Sequence, residues 1–301
     1  MVRRWRILPT FREKSNECFV NLLVMEVQTK YQERIYKYSE VCVFRKTKEL
    51  FGGLSNMASG YPIKINGKHI LTSEALYQAC RFPHLPDVQQ KIIGEKSPMT
   101  AKMVSKPFRS NSRPDWDNVR TDIMYWCLKV KLAQNFITFG QLLETTFDKS
   151  IVEDSSKDAF WGAVQDKKNS SELKGVNALG RLLMKLRQEY NSANRFHLLF
   201  VEPLSLPNFL IFDEQIQVVD ERQSFIDNLY KHWRISPSNL SSIKLDKDIP
   251  QNGKTYLNGN SVNEIPSIVA EPEIKIETTK ATKAKRKTKK DKINQPELGL
   301  T

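Results

Sequence analysis

The sharpest alternation of apolar and polar positions falls in residues 71–82. Wound as an α-helix, Glu74, Tyr77, Gln78 and Arg81 form one stripe, and Ala75, Leu76, Ala79 and Cys80 form the opposite one. Thr72 or Ser73 can cap this helix. That sets Glu74 in the first turn, where unpaired N–H groups and the positive end of the dipole favour an ionised acid. An exposed acid of a capping turn fits the same pattern. Pro83 and Pro86 end the helix. Just upstream, residues 63–70 alternate about Asn66-Gly67 and predict a hairpin that delivers the chain to Thr72.

Weaker periodicities fill in the neighbours. Val41, Val43 and Phe44 predict a strand before the Gly52-Gly53 turn, and residues 87–93 a short helix. Residues 97–103 predict a second short helix with proline in its first turn. Asp115 or Asp117 can cap a long helix over 119–134, in which Ile123, Cys127, Val130 and Gln134 share a face. A helical segment at 139–145, a strand at 150–153 and a turn at 158–161 follow. Asn177 can cap a last helix, with Leu179, Leu182, Leu183 and Leu186 at helical spacing. Residues 198–201 and 209–212 predict strands and 222–233 a helix.

This pattern predicts a helix-rich α+β fold. A single core domain spans 35–191, between an N-terminal extension at 1–34 and a small appended subdomain at 192–235. A basic tail at 236–301, rich in Ser, Asn, Pro and Lys and poor in aromatic residues, is expected to be disordered.

With 301 residues and 40% apolar content, the chain can bury a substantial core. No run approaches the ~18 apolar residues of a membrane span. The N-terminus lacks a signal-peptide segment, so a cytoplasmic protein without membrane contact is expected. Of the formal charge of +13, +7 sits in residues 280–292. A basic excess points to an anionic partner such as nucleic acid, with a solvated, solubilising run as the competing account. The series Lys102, Lys106, Arg109 and Arg113 admits the same two readings. Cys18, Cys42, Cys80 and Cys127 are far apart and the four histidines are scattered, so neither a metal site nor a disulfide framework is expected.

Five separated motifs carry more information than any of these alone. They are Phe51-Gly52-Gly53-Leu54-Ser55-Asn56-Met57, the helix from Ser73 to Pro83, Arg113-Pro114-Asp115-Trp116, Asp158-Ala159-Phe160-Trp161-Gly162, and residues 175–184. In this order and spacing, residues 36–190 resemble the NADAR family, the YbiA-like N-glycosidases. The resemblance implies hydrolysis of an N-glycosidic bond without a cofactor or metal, with Glu74 and Asp158 as the catalytic carboxylates. Such chemistry requires help for the departing base, stabilisation of a cationic sugar and an activated water; carboxylates suit the last two roles.

Trp116 and Trp161 offer flat faces for a base, although burial in the core explains tryptophans as well. Tyr77 lies on the stripe of Glu74. Gly175, Asn177 and Gly180 open a helix whose N–H groups could hold a phosphate, with Arg81, Lys102 and Arg181 as charge partners for a pyrophosphate. No Walker or Rossmann motif is present.

Within the family the chain looks like the antitoxin branch, which accompanies DarT-type ADP-ribosyltransferase toxins and removes ADP-ribose from guanine bases of DNA. The branch acting on phosphorylated riboflavin-pathway intermediates typically has His after the matching glutamate, where this chain has Ala75. The implied partners are ADP-ribosylated DNA and a cognate toxin. A non-catalytic module binding ADP-ribose or nucleic acid is a third reading. The lysine-rich tail fits a DNA substrate through salt-dependent attraction, and residues 295–300 loosely resemble peptides that dock on sliding clamps.

Overall fold

A computed structural model describes residues 32–233. The readings made for residues 1–31 and for the tail at 236–301 lie outside the described residues. The architecture is mixed helix and strand, organised around one long helix. In chain order the strands are β1 (Arg34–Lys37), β2 (Val41–Phe44), β3 (Ile63–Ile65), β4 (Lys68–Ile70), β5 (Ser150–Glu153), β6 (Val164–Gln165), β7 (Glu172–Gly175), β8 (Phe200–Val201), β9 (Leu210–Ile211), β10 (Glu214–Gln215) and β11 (Val219–Asp220). The helices are α1 (Ser73–Ala79), α2 (Pro86–Ile93), α3 (Pro98–Ser105), α4 (Trp116–Gln134), α5 (Phe136–Glu144), α6 (Ala178–Tyr190) and α7 (Arg222–Trp233). No helix among the described residues is long and apolar enough to cross a membrane.

Helix α4 is the axis of the core. Ile123, Met124, Trp126, Cys127, Leu128, Val130 and Leu132 are all buried, and α1, α5, α6, β3 and β8 pack around it. It starts one turn before the predicted residue 119, because Asp115 occupies the N-cap without a side-chain capping bond. The Asp115 carboxylate is instead held by the buried Arg113, at 2.5 Å from Nε. Strand β2 runs parallel to β5, with Phe44 opposite Glu153. Strand β7 lies between β1 and β6, antiparallel to both. The predicted hairpin is β3 and β4; Asn66 and Gly67 both adopt positive φ, as a tight two-residue turn requires.

Residues 195–219 send Leu198, Leu199, Val201, Phe209 and Ile211 into the same core cluster as α4. Phe209 meets Trp126 edge to face at 5.0 Å, and the Trp126 Nε1–H donates to the Glu202 carbonyl at 2.9 Å. The two strands predicted here are shorter in the structure. Arg195–Leu199 winds into a 3-10 turn, leaving two residues for β8. Phe212 and Asp213 adopt left-handed φ and end β9 at Ile211.

The most unusual core residue is Lys131, fully buried on α4. Its Nζ donates to the carbonyls of Gly53 (2.7 Å) and Ser55 (3.0 Å) and faces the rings of Phe139 (4.1 Å) and Tyr61 (4.5 Å). Burial pushes its pKa well down, whereas the two carbonyls and two ring faces supply what water would have given the ammonium. The loop it holds packs tightly: a Cβ on Gly52 would lie 2.4 Å from the Lys46 carbonyl oxygen. Lys131→Met strands two carbonyls in the core and is expected to cost about 2–4 kcal/mol of stability, read from the urea unfolding midpoint. An unchanged midpoint would show that the loop does not depend on the ammonium.

Candidate active site

The site grows from the start of α1. The Thr72 hydroxyl accepts from the Ala75 N–H at 3.2 Å and caps the helix, as predicted. The Glu74 N–H and the Ser73 hydroxyl both donate to the Asn56 carbonyl, at 2.9 and 3.1 Å. Asn56 returns the contact: its side-chain Nδ2–H donates to Glu74 Oε2 at 2.5 Å. One turn on, Gln78 Nε2–H donates to Glu74 Oε1 at 3.0 Å, and the Ser105 hydroxyl fixes that amide by donating to Gln78 Oε1. Lys102 Nζ stands 3.9 Å from Glu74 Oε1.

Glu74 is therefore no exposed capping-turn acid. It is 3% exposed, and both faces of α1 are buried, the apolar one against the core and the polar one against a cavity. Two amides and a cation compensate the carboxylate for lost water.

The cavity holds about 340 Å³. Small-molecule pockets span roughly 300–1,000 Å³, so this one takes a sugar with an adjoining group, and anything longer must pass out through its mouth. Tyr77 forms part of an aromatic wall, with ring centroids 5.0 Å from Trp116 and 5.6 Å from Trp161. Phe160 extends the wall, 5.2 Å from Trp161. Four partly or fully exposed cations, Arg81, Lys102, Arg109 and Arg120, also line it, Lys102 reaching in to Glu74. Two of them lean on the wall: the Arg81 guanidinium lies 4.9 Å from the Trp116 ring and that of Arg120 4.0 Å from Phe160.

Asp158 also lines this cavity, on an exposed turn. Its Oδ1 accepts from the N–H groups of Phe160 (3.0 Å) and Trp161 (2.9 Å), so one carboxylate oxygen shapes the turn that presents both rings.

The cavity thus gathers Glu74, Asp158, Trp116, Trp161, Tyr77, Arg81 and Lys102. Gly175, Asn177 and Arg181 lie outside its lining. At the start of α6 the N–H groups of Val176, Asn177, Ala178 and Leu179 are taken, donating to carbonyls of Ala159, Gly162, Phe160 and Trp161. Asn177 sits at left-handed φ and does not cap its helix. Its side chain donates to the Ile151 carbonyl and accepts from the Glu153 N–H, bonding to β5 as a neighbouring strand would. The Arg181 guanidinium donates to the Gln32 carbonyl. Gly175 is a packing glycine: a Cβ there would meet the Gly162 oxygen at 2.5 Å.

Sequence reasoning assigned no role to Asn56, Gln78, Arg120, Phe160 or Glu153, all of which line the cavity. Gln78 was visible four residues after Glu74 on the same stripe. Glu153 was visible only as the last residue of a buried strand. Burial, then the charges of Glu74 and Asp158, raise its pKa to about 7 against the opposing pull of Lys102.

The NADAR domain profile matches residues 11–191. The chain belongs to the NADAR domain family. Among NADAR relatives, N-glycosidase YbiA of Escherichia coli K12 is 33% identical over 146 residues, covering 48% of this chain and 86% of that one. A riboflavin biosynthesis protein of Vibrio vulnificus is 32% identical over 167 residues, 54% of this chain and 42% of its own length. The chloroplastic riboflavin biosynthesis protein PYRR of Zea mays is 34% identical over 165 residues, 50% of this chain and 25% of its own. The NADAR chain described here thus spans less than half of the Vibrio protein and a quarter of the maize one.

The Glu153 shift carries a stability consequence. Its folded pKa is raised from 4.5 to about 7, so its contribution is fully present below the unfolded value and is lost as pH rises through the folded one. Glu153→Gln, which stays neutral, should match the parent near pH 4.5 and melt a few degrees higher above pH 7. Parallel melting curves at all pH values would contradict the assignment.

Proposed function

We propose that this chain is an N-glycosidase that removes ADP-ribose from guanine bases in DNA, acting as the antitoxin to a DNA ADP-ribosyltransferase toxin. The observation that carries the reading is the Glu74 carboxylate, fixed by Asn56 and Gln78 at the base of an aromatic-walled cavity with cations toward its mouth. The coarser half, hydrolysis of an N-glycosidic bond, is supported by family membership and by the N-glycosidase relative.

In this reading the sugar carbon sits beside Glu74 and Asp158. As the bond to the base nitrogen lengthens, positive charge spreads over the sugar ring. An ionised carboxylate held rigidly nearby lowers the energy of that state because its donors need not reorganise. The second carboxylate takes a proton from the attacking water. Trp116 and Trp161 offer the base a stacking surface and keep bulk water from the bond. Arg81, Lys102, Arg109 and Arg120 suit the pyrophosphate of a ligand longer than the cavity.

The DNA substrate is further supported by Ala75, which stands where the small-molecule branch of the resemblance typically has His, and by the +7 charge of residues 280–292.

A second reading is hydrolysis of a phosphorylated riboflavin-pathway intermediate. It is favoured by the two relatives named for riboflavin biosynthesis and by a cavity that a ribosyl phosphate would largely fill.

Offering an ADP-ribosylated guanine oligonucleotide and a phosphorylated ribosylaminopyrimidine side by side separates these readings. The expected result is release of ADP-ribose from the oligonucleotide, with Glu74→Gln slower by roughly 10²–10⁴-fold while still folded. Cleavage of the aminopyrimidine alone would move the substrate to the second reading. Saturable binding without turnover, unaffected by Glu74→Gln, would mean a binding module.

A further inference from the structure

We propose that Glu153 is a third catalytic carboxyl of this cavity: it hands a proton to the departing base nitrogen. The inference rests on the N-glycosidase reading and supplies what Glu74 and Asp158 leave open, namely the acid that helps the base depart.

Two carboxyls in one enclosure have contrasting surroundings. Glu74 accepts from two amides and lies 3.9 Å from the Lys102 ammonium. These contacts occupy both of its oxygens. Glu153 lines the same cavity, yet among the described residues no side chain or backbone group donates to its carboxyl.

The charges around Glu153 also favour a proton. Glu74 on α1 and Asp158 on the following turn repel a second negative charge, and Lys102 on α3 alone among the three groups it senses opposes them. Arg81, Arg109, Asp117 and Arg120 line the same cavity from the turn after α1, the segment after α3, and α4. At neutral pH, Glu153 retains a protonated population with a pKa close to the working range of a general acid.

Glu153 is also held in place. Its N–H donates to Asn177 Oδ1 at 3.2 Å, its carbonyl accepts from the Ala163 N–H at 2.8 Å, and β2 lies alongside with Phe44 opposite. Gly162 allows the turn bearing Asp158 and Trp161 to close over it, since a Cβ there would lie 2.5 Å from the Glu153 carbonyl oxygen. This gives Asn177, outside the cavity lining, a positioning role.

The step balances. The bond from the sugar carbon to nitrogen breaks with its electron pair going to nitrogen, which takes the Glu153 proton. Water adds to the sugar carbon and gives a proton to Glu74 or Asp158. Passage of that proton to Glu153 through solvent restores the starting state, and the net change is addition of one water across the bond.

The test compares two leaving groups on the same sugar: the base amine, which needs a proton to depart, and a nitrophenolate, which does not. For the amine, Glu153→Gln should lower kcat by roughly 10²–10³-fold with little change in KM, and the fall of kcat/KM above pH 7 should disappear. For the nitrophenolate, Glu153→Gln should run near the parental rate, while Glu74→Gln loses activity on both. Parental kcat and an unchanged alkaline limb on the amine would overturn the proposal and leave the N-glycosidase reading intact. Equal losses on both leaving groups would assign Glu153 a structural role and likewise overturn it. If the parent cleaves neither compound, the N-glycosidase reading falls, and this inference with it.

Discussion

A carboxylate shut away from water must find its hydrogen bonds within the protein, and Glu74 finds them in Asn56 and Gln78. Asn56 grips the helix three times, through its carbonyl on the Glu74 N–H and the Ser73 hydroxyl and through its amide on the Glu74 carboxylate. Its own position depends on the loop before it, which the buried ammonium of Lys131 holds by two carbonyls. A thread of polar contacts therefore runs through an otherwise apolar core, from α4 through the Gly52–Leu54 turn to the first turn of α1. The fold tolerates it because almost every member is satisfied by another. Removing one partner leaves the next without its bonds, which links stability to the geometry of the site.

The elements that could be read in the sequence obey local rules. Thr72 caps the helix that follows it, Asn66 and Gly67 take the turn that their backbone freedom allows, and Pro98 opens α3. The seven expected residues that share the cavity lie on or beside such elements.

What stayed hidden depends on partners distant in the chain. Lys131 contacts carbonyls 76 and 78 residues away, and periodicity along α4 cannot distinguish a buried ammonium from a solvated one. The motif at 175–181 misled for the same reason. Its N–H groups suit a phosphate only until the turn at 158–162 occupies them, and the Asn177 amide fits a cap only until β5 claims it. Glu153 read as the end of a strand because nothing local marks which face of β5 meets the cavity.

The cavity combines three environments over a short distance: carboxyls at its base, aromatic rings along its wall and guanidinium and ammonium groups toward solvent. Each alone is common. Together they match a ligand with a cationic transition state at one end, a flat ring beside it and negative charge extending outward. The aromatic wall is itself braced by Arg81 over Trp116 and Arg120 over Phe160.

In the proposed reaction Glu74 faces the sugar carbon whose bond to the base is broken. The most direct measurement is a crystal structure of Glu74→Gln bound to an ADP-ribosylated guanine oligonucleotide. The account predicts the sugar carbon in contact with residue 74, the base against the tryptophans and the pyrophosphate among the four cations. A ligand seated outside this cavity, or with its sugar carbon turned away from residue 74, would contradict it.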